Sequence, residues 1–253
     1  SAVAASIVSR IFLGSRPAFE IPGYVMNSPW QIILYIILGL LAAFVGILFI
    51  RMLYFTEDVF EQLAIPLWLK PAIGSLLLGI LAFSYPYLGT ISYISSADMS
   101  LGLPLVENYP HIFGSGFVFL EEVLQGHAPF FLIFLLIFLK PLATSFTLGS
   151  GNSGGVFAPS LFTGAMLGGA FGYLAMRLFP GLPIEVGAYA LVGMAAVFSA
   201  AARAPLTSML IVFEMSNDYR LILPLMAAGM VASTFAQWLH PESIYTLKLS
   251  KRG

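Results

Sequence analysis

Gly149-Ser-Gly-Asn-Ser-Gly-Gly-Val-Phe-Ala-Pro159 interrupts a chain otherwise built from long apolar runs. The stretch holds four glycines, two serines and one asparagine, with an apolar segment on either side. Backbone without regular hydrogen bonding is tolerated at membrane depth only where protein buries it or where it lines a polar cavity. The stretch is therefore either a surface loop joining two helices or a break that opens a helix at a binding site.

Composition sets the environment. Of 253 residues, 59% are hydrophobic and 9% charged, with a mean hydropathy of +0.93. These values place the chain in a lipid bilayer. A net charge of −1 offers nothing to attract nucleic acid. Cysteine is absent, which excludes disulfides and thiolate metal sites, and His111, His127 and His240 lack metal-ligand spacing. The chain opens on Ser1-Ala-Val-Ala-Ala-Ser-Ile-Val-Ser-Arg10 without Met, as though inside a helix, so a fragment is expected.

Outward from the glycines, the chain divides into apolar segments of uneven length. Residues 2–13 read as a short helix closed by Gly14, and residues 17–22 as a linker. Residues 30–52 are uncharged before Arg51 and long enough to cross about 30 Å of hydrocarbon. Trp30 and Tyr54 are placed as interfacial anchors. Residues 56–70 form a charged connection, residues 71–83 begin another apolar segment, and residues 85–110 are the longest polar region. Residues 116–125 suit a short helix lying against the membrane. From Pro129 to Met176 the only charged residue is Lys140, and the glycine stretch divides that length into two helices. The second, residues 157–178, carries Gly164, Gly168 and Gly172 at the spacing of a close helix contact. Residues 186–202, 205–215 and 221–239 complete the set; the middle one is too short to cross a bilayer alone. Short, Gly- or Pro-interrupted apolar segments mark transport proteins with helices broken at mid-membrane. The fold class is thus an all-α membrane protein. The acids from Asp98 to Glu122 are assigned to the outside, and the basic tail with Lys248, Lys251 and Arg252 to the cytoplasm.

A helix starting at Val156 or Phe157 leaves its first backbone N–H groups without intrahelical partners. Glycines before it let the chain turn and let an ion approach, and Pro159 suits a first helical turn. Free N–H groups and the positive end of the helix dipole together favour an anion. Partial charges of this kind hold an ion weakly enough to release it again. Lys140 is an ionisable group inside an apolar span, which marks a functional site by default. Three roles stand open for it: electrostatic support that draws anions inward, pairing with a carboxylate outside this chain, or snorkelling to the interface. Arg203 and Glu214, at helix ends, read as structural.

Gly155-Val-Phe-Ala-Pro159 matches the G-x-F-x-P motif of the CLC chloride channels and proton/chloride exchangers. Leu148 to Phe162, Arg203-Ala-Pro-Leu-Thr207, Phe213-Glu-Met215 and Ser243-Ile-Tyr-Thr-Leu247 follow in the order and spacing of that family. Residues 1–253 resemble the C-terminal half of a CLC membrane domain of prokaryotic type, from the end of helix I to helix R. The resemblance implies a multi-helix fold that is the second of two inverted repeats, with tilted and broken helices. It implies transmembrane transport of chloride or another anion, as a channel or a proton-coupled exchanger, with no enzymatic activity and no cofactor beyond the chloride ligand. It assigns the anion to Gly155, the amides of Val156 and Phe157, and the Tyr245 hydroxyl. Read without the family, Tyr245 is an interfacial tyrosine.

The resemblance further implies a homodimer in a prokaryotic plasma membrane, with residues 2–13, 205–215 and 221–239 at the interface and Ile222 and Met226 facing the partner. The family's G-S-G-x-P and G-(K/R)-E-G-P segments do not occur here, nor does the internal proton-handling glutamate. The N-terminal half, its gate and any CBS domains are expected to lie outside this chain. Residues 1–253 alone are expected not to conduct; selective chloride flux from liposomes holding only these residues would contradict that. Two other classes compete. An intramembrane serine protease would use Ser150 or Ser153 as nucleophile and His240 as base, within hydrogen-bond reach of each other. A non-conducting structural subunit would need a separately encoded first half.

Overall fold

The computed structural model describes residues 30–84 and 110–247 together with Val8 and Phe19, and among the described residues there are helices and turns but no strand. The expectations for residues 2–13, 17–22, 85–109 and 248–253 lie outside the described residues. Helices α1 (Trp30–Gln62), α2 (Leu69–Ser84), α3 (Phe117–Leu124), α4 (Phe130–Gly149), α5 (Phe157–Leu178), α6 (Val186–Ala202), α7 (Pro205–Ser216) and α8 (Ile222–Leu239) follow in order. Among the described residues, four helical segments are long and apolar enough to cross a membrane: Trp30–Gln62, Phe130–Gly149, Phe157–Leu178 and Tyr219–Leu239.

The centre of the fold is α6, in which every residue from Val186 to Ala201 is buried. A helix apolar all round has no solvent face to keep, and this one is built largely of Ala, Gly and Val, so its neighbours approach closely. The most extensive contact is with α5. A Cβ on Gly168 would stand 2.0 Å from the Tyr189 carbonyl oxygen, one on Gly164 2.4 Å from the Gly193 oxygen, and one on Gly193 2.3 Å from the Gly164 oxygen. The small-residue face expected from the sequence is therefore a backbone-to-backbone contact, with glycine on both helices. On another side of α6, α1 packs with Gly46, whose Cβ would meet the Ala200 methyl at 2.8 Å.

Two expectations for α1 need correction. The helix continues past residue 52 to Gln62, through what the sequence suggested was a connection. Leu53, Tyr54, Thr56 and Phe60 lie buried along one side, while Glu61 is exposed and Glu57 and Asp58 are half-buried, so the helix carries these acids without ending at them. The Lys70 ammonium donates to the Phe60 carbonyl at 2.5 Å and the Glu61 carbonyl at 3.3 Å, supplying partners at the helix end. Tyr54 is not an interfacial anchor: it is 7% exposed and donates to the Ile244 carbonyl at 2.7 Å. Trp30, by contrast, is exposed. So are Ile33, Ile37, Leu41 and Phe44 on α1 and Phe130, Phe131, Phe134 and Phe138 on α4, faces whose chemistry suits lipid tails.

Candidate functional site

The glycine stretch is a turn braced by two helices. Gly149 lies against α1, where a Cβ would come 2.8 Å from Thr56 Cγ2. Gly74 of α2 abuts Ser150, with no room for a side chain between them. Gly151 has φ +91, a left-handed conformation open to glycine at little cost. The Asn152 amide donates to the Pro71 carbonyl at 3.2 Å and to Ser75 Oγ at 3.3 Å, tying the turn to the start of α2. This bracing leaves the chain entering α5 at Val156, whose backbone is already helical with φ −97 and ψ −14.

The backbone accounting at that point is open. The Ser160 N–H donates to the Val156 carbonyl, Pro159 has no N–H, and no side chain caps the helix. Among the described residues, nothing accepts from the N–H groups of Val156, Phe157 or Ala158. A Cβ added at Gly155 would meet nothing within 4 Å. Gly155, Phe157, Gly154, Thr144, Thr147 and Lys140 help line a cavity of about 560 Å³ at this helix start. The Phe157 ring is set edge-on against Phe198 of α6, with centroids 5.0 Å apart.

Lys140 reaches the same cavity but spends its ammonium elsewhere. It is 1% exposed and donates to the carbonyls of Ile112 (3.0 Å), Phe113 (3.3 Å) and Gly114 (2.8 Å). The Phe162 ring centroid lies 4.9 Å from the nitrogen. The side chain does not snorkel, and among the described residues it forms no ion pair with a carboxylate. Three carbonyls match its three donors. Its charge thus sits beside the cavity without pointing a free N–H into it. His111, at the start of the loop that Lys140 caps, is held neutral: burial first, and the Lys140 charge second, push its pKa down to about 4.

Tyr245 does not line this cavity. It is 54% exposed, and its hydroxyl bonds to no described residue. Its segment reaches the helix start by way of a small apolar cluster: Ile244 is buried with Phe49, Ile50, Leu53 and Tyr54 of α1, and Val156, Leu148 and Leu247 pack against that cluster. The segment opens with a reciprocal cap that the sequence reading missed, although Ser243-x-x-Thr246 signals it. Ser243 Oγ accepts from the Thr246 N–H at 3.2 Å, and Thr246 Oγ1 accepts from the Ser243 N–H at 2.9 Å.

Arg203 organises the same corner. It sits after α6 at φ 59, unusual for a residue with a Cβ. Its guanidinium donates to the Ala200 carbonyl, to Ala236 O at 2.9 Å and to His240 O at 2.5 Å. The Arg203 N–H takes Ser199 O and the Ile244 N–H takes Ala201 O at 2.9 Å, so with the guanidinium on Ala200 O three successive carbonyls at the end of α6 have donors. For the competing protease reading, no hydrogen bond among the described residues joins His240 to Ser150 or Ser153. Ser150 Oγ donates to the Thr147 carbonyl at 3.1 Å, while His240 Nδ1 faces the Glu242 carbonyl at 3.2 Å.

A helix start with unclaimed amides, beside a cavity inside an all-α apolar fold, defines a class: an integral membrane protein with a helix broken inside its apolar interior. Comparison with known proteins gives the family. A family model described as voltage gated chloride channel matches residues 1–237, and the chain belongs to that family. It is 36% identical to the chloride channel protein CLC-f of Arabidopsis thaliana over 90% of this chain and 28% of that protein. It is 33% identical to the H(+)/Cl(-) exchange transporter ClcA of Citrobacter koseri over 98% of this chain and 48% of that one. Among solved structures, a slow cyanobacterial Cl-/H+ antiporter superposes with a TM-score of 0.76 at 29% identity, covering 99% of this chain and 53% of its own. A CLC-type fluoride/proton antiporter shares the fold with a TM-score of 0.69 at 23% identity. The chain spans about half the length of the bacterial exchangers it matches. The all-α CLC fold and the multi-pass membrane character expected from the sequence stand.

Proposed function

We propose that this chain forms one wall of a transmembrane anion pathway, with chloride held by the amides of Val156 and Phe157 at the open approach beside Gly155, and by the Tyr245 hydroxyl. The observation that carries the reading is the start of α5, where N–H groups without acceptors among the described residues meet open space at Gly155. The first amides of a helix have no intrahelical acceptor, and with Gly155 and Phe157 exposed these are open to a ligand or to water. Neutral donors and a helix dipole suit an anion that must leave again, and Tyr is a neutral donor at pH 7. Lys140 adds a positive potential beside the cavity while its donors stay on carbonyls.

ClcA and the cyanobacterial antiporter exchange chloride for protons by their names, and CLC-f is named a chloride channel, which supports an anion cargo for the whole protein as channel or exchanger. The opposite wall and the gate come from residues outside this chain, as the second half of an inverted pair requires. The protein works as a homodimer in a prokaryotic plasma membrane with its C-terminus in the cytoplasm. The exposed apolar side chains of Leu206, Leu210, Leu223, Met226 and Met230 on α7 and α8 supply a surface for the partner.

The test is chloride binding to the full chain in which these residues occur, followed by titration calorimetry. Tyr245→Phe is expected to weaken chloride about fivefold, the worth of one neutral hydrogen bond. Undiminished affinity in that variant would remove Tyr245 from the site.

A further inference from the structure

The Tyr54 hydroxyl and the peptide of Ile244 make a contact that neither the family motifs nor the proposed anion site accounts for. Tyr54 lies on α1 and Ile244 lies 190 positions later, yet the hydroxyl donates to the Ile244 carbonyl at 2.7 Å in a buried setting. On its other side the Ile244 N–H donates to Ala201 O at the end of α6, 2.9 Å away. The backbone of Ile244 is thus held on both sides, its carbonyl by α1 and its N–H by the end of α6. The Ser243–Thr246 cap fixes the turn that follows, and the Arg203 guanidinium anchors the chain just upstream at His240 O. The same stretch of α1 also touches the residue that opens α5. Phe49, Ile50, Leu53 and Tyr54 form the cluster against which Val156 packs, so both sets of proposed anion donors take their register from one face of α1.

We infer that Tyr54 is a positioning residue for anion binding: by clamping the Ile244 carbonyl it sets where the Tyr245 hydroxyl stands relative to the start of α5. The inference rests on the proposed role of Tyr245. Chemistry favours a clamp over a packing role alone. A phenylalanine would fill the same space in the cluster, whereas the hydroxyl supplies the bond to the carbonyl of the peptide that joins Ile244 to Tyr245. A loosened Ile244 peptide lets the following residue swing, and a donor displaced by an ångström no longer reaches its ion within hydrogen-bond distance.

The experiment is a double-mutant cycle in the full chain, with Tyr54→Phe, Tyr245→Phe and the pair, read by calorimetric titration of sodium chloride and by thermal unfolding in the same detergent. Tyr54→Phe is expected to weaken chloride about threefold to fivefold in the parent and to have no further effect once Tyr245 is Phe. Any loss of Tm is expected to be the same in both backgrounds. Equal weakening by Tyr54→Phe in both backgrounds would make Tyr54 structural and overturn the inference. So would unchanged affinity in Tyr54→Phe while Tyr245→Phe weakens binding. Unchanged affinity in Tyr245→Phe would overturn the reading of Tyr245 and the clamp with it. Should Tyr54→Phe fail to fold, Ile244→Val at the neighbouring side chain keeps the clamp bond and serves as the control. Normal chloride affinity in Ile244→Val supports the clamp, and a loss equal to that of Tyr245→Phe overturns it in favour of packing.

Discussion

One glycine-rich stretch leads into α5 and another lies along it, and they use glycine for opposite reasons. At residues 164–172 the missing side chains are filled by another backbone, and a Cβ on Gly168 would lie 2.0 Å from a carbonyl oxygen of α6. At Gly155, a few residues earlier, a Cβ would meet nothing within 4 Å. The first set closes a helix contact and leaves its polar groups paired. The second leaves space in front of amides that have no acceptor among the described residues. Glycine content alone does not separate packing from binding; the occupant of the vacated volume does.

The largest effect expected from breaking this comparison is on the closed side. Gly168→Val would drive α5 from α6 and cost about 3 kcal/mol or more, since overpacking of a rigid backbone contact cannot be relieved by rotamer changes. The check is yield and monodispersity on size exclusion, with little folded protein recovered. A variant that elutes and melts like the parent would show that the contact can yield.

Lys140 sharpens the boundary between the two regions, because it lines the open cavity yet is bonded like a closed one. Lys140→Met would leave three carbonyls without their donor and is expected to lower stability by about 2–3 kcal/mol, with a matching fall in Tm. Loss of chloride affinity at unchanged Tm would instead make its charge, not its capping, the dominant contribution.

On the open side the effect is smaller and of a different kind. Gly155→Leu is expected to leave Tm where it is, because the new side chain enters empty space, and to weaken chloride tenfold, about 1.4 kcal/mol, by occupying the approach. A drop in Tm with chloride binding intact would mean that the space beside Gly155 serves folding and not a ligand.

Much of the fold was legible. The limits of α5 and α6 fall where apolar runs, Gly and Pro placed them, because helix ends are set by nearby residues. The break at residues 149–155 and the small-residue face of α5 are likewise local patterns. The extension of α1 was not legible, since Glu57, Asp58 and Glu61 signal the end of a membrane span but not the end of a helix. Within the candidate site, the amides of Val156 and Phe157 could be located from the motif. The partners of Lys140, Tyr54 and Arg203 could not, for one reason: their contacts are to carbonyl oxygens, which every residue carries and no sequence pattern marks.

By itself, then, the sequence determined residence in a bilayer, the helical class, the family and the point at which a helix begins with unclaimed amides. The first two follow from composition and apolar run lengths, the helix start from short-range spacing, and the family from the resemblance of its motifs. Only the tertiary structure decided what stands around that point. Tyr54 meets Ile244 across 190 positions, and Arg203 joins the ends of α6 and α8 across 33. Such pairings depend on how whole helices pack, through glycine contacts that bring backbones together. The packing of α1 against α6 and α8 turns a broken helix and a distant tyrosine into two sides of one corner.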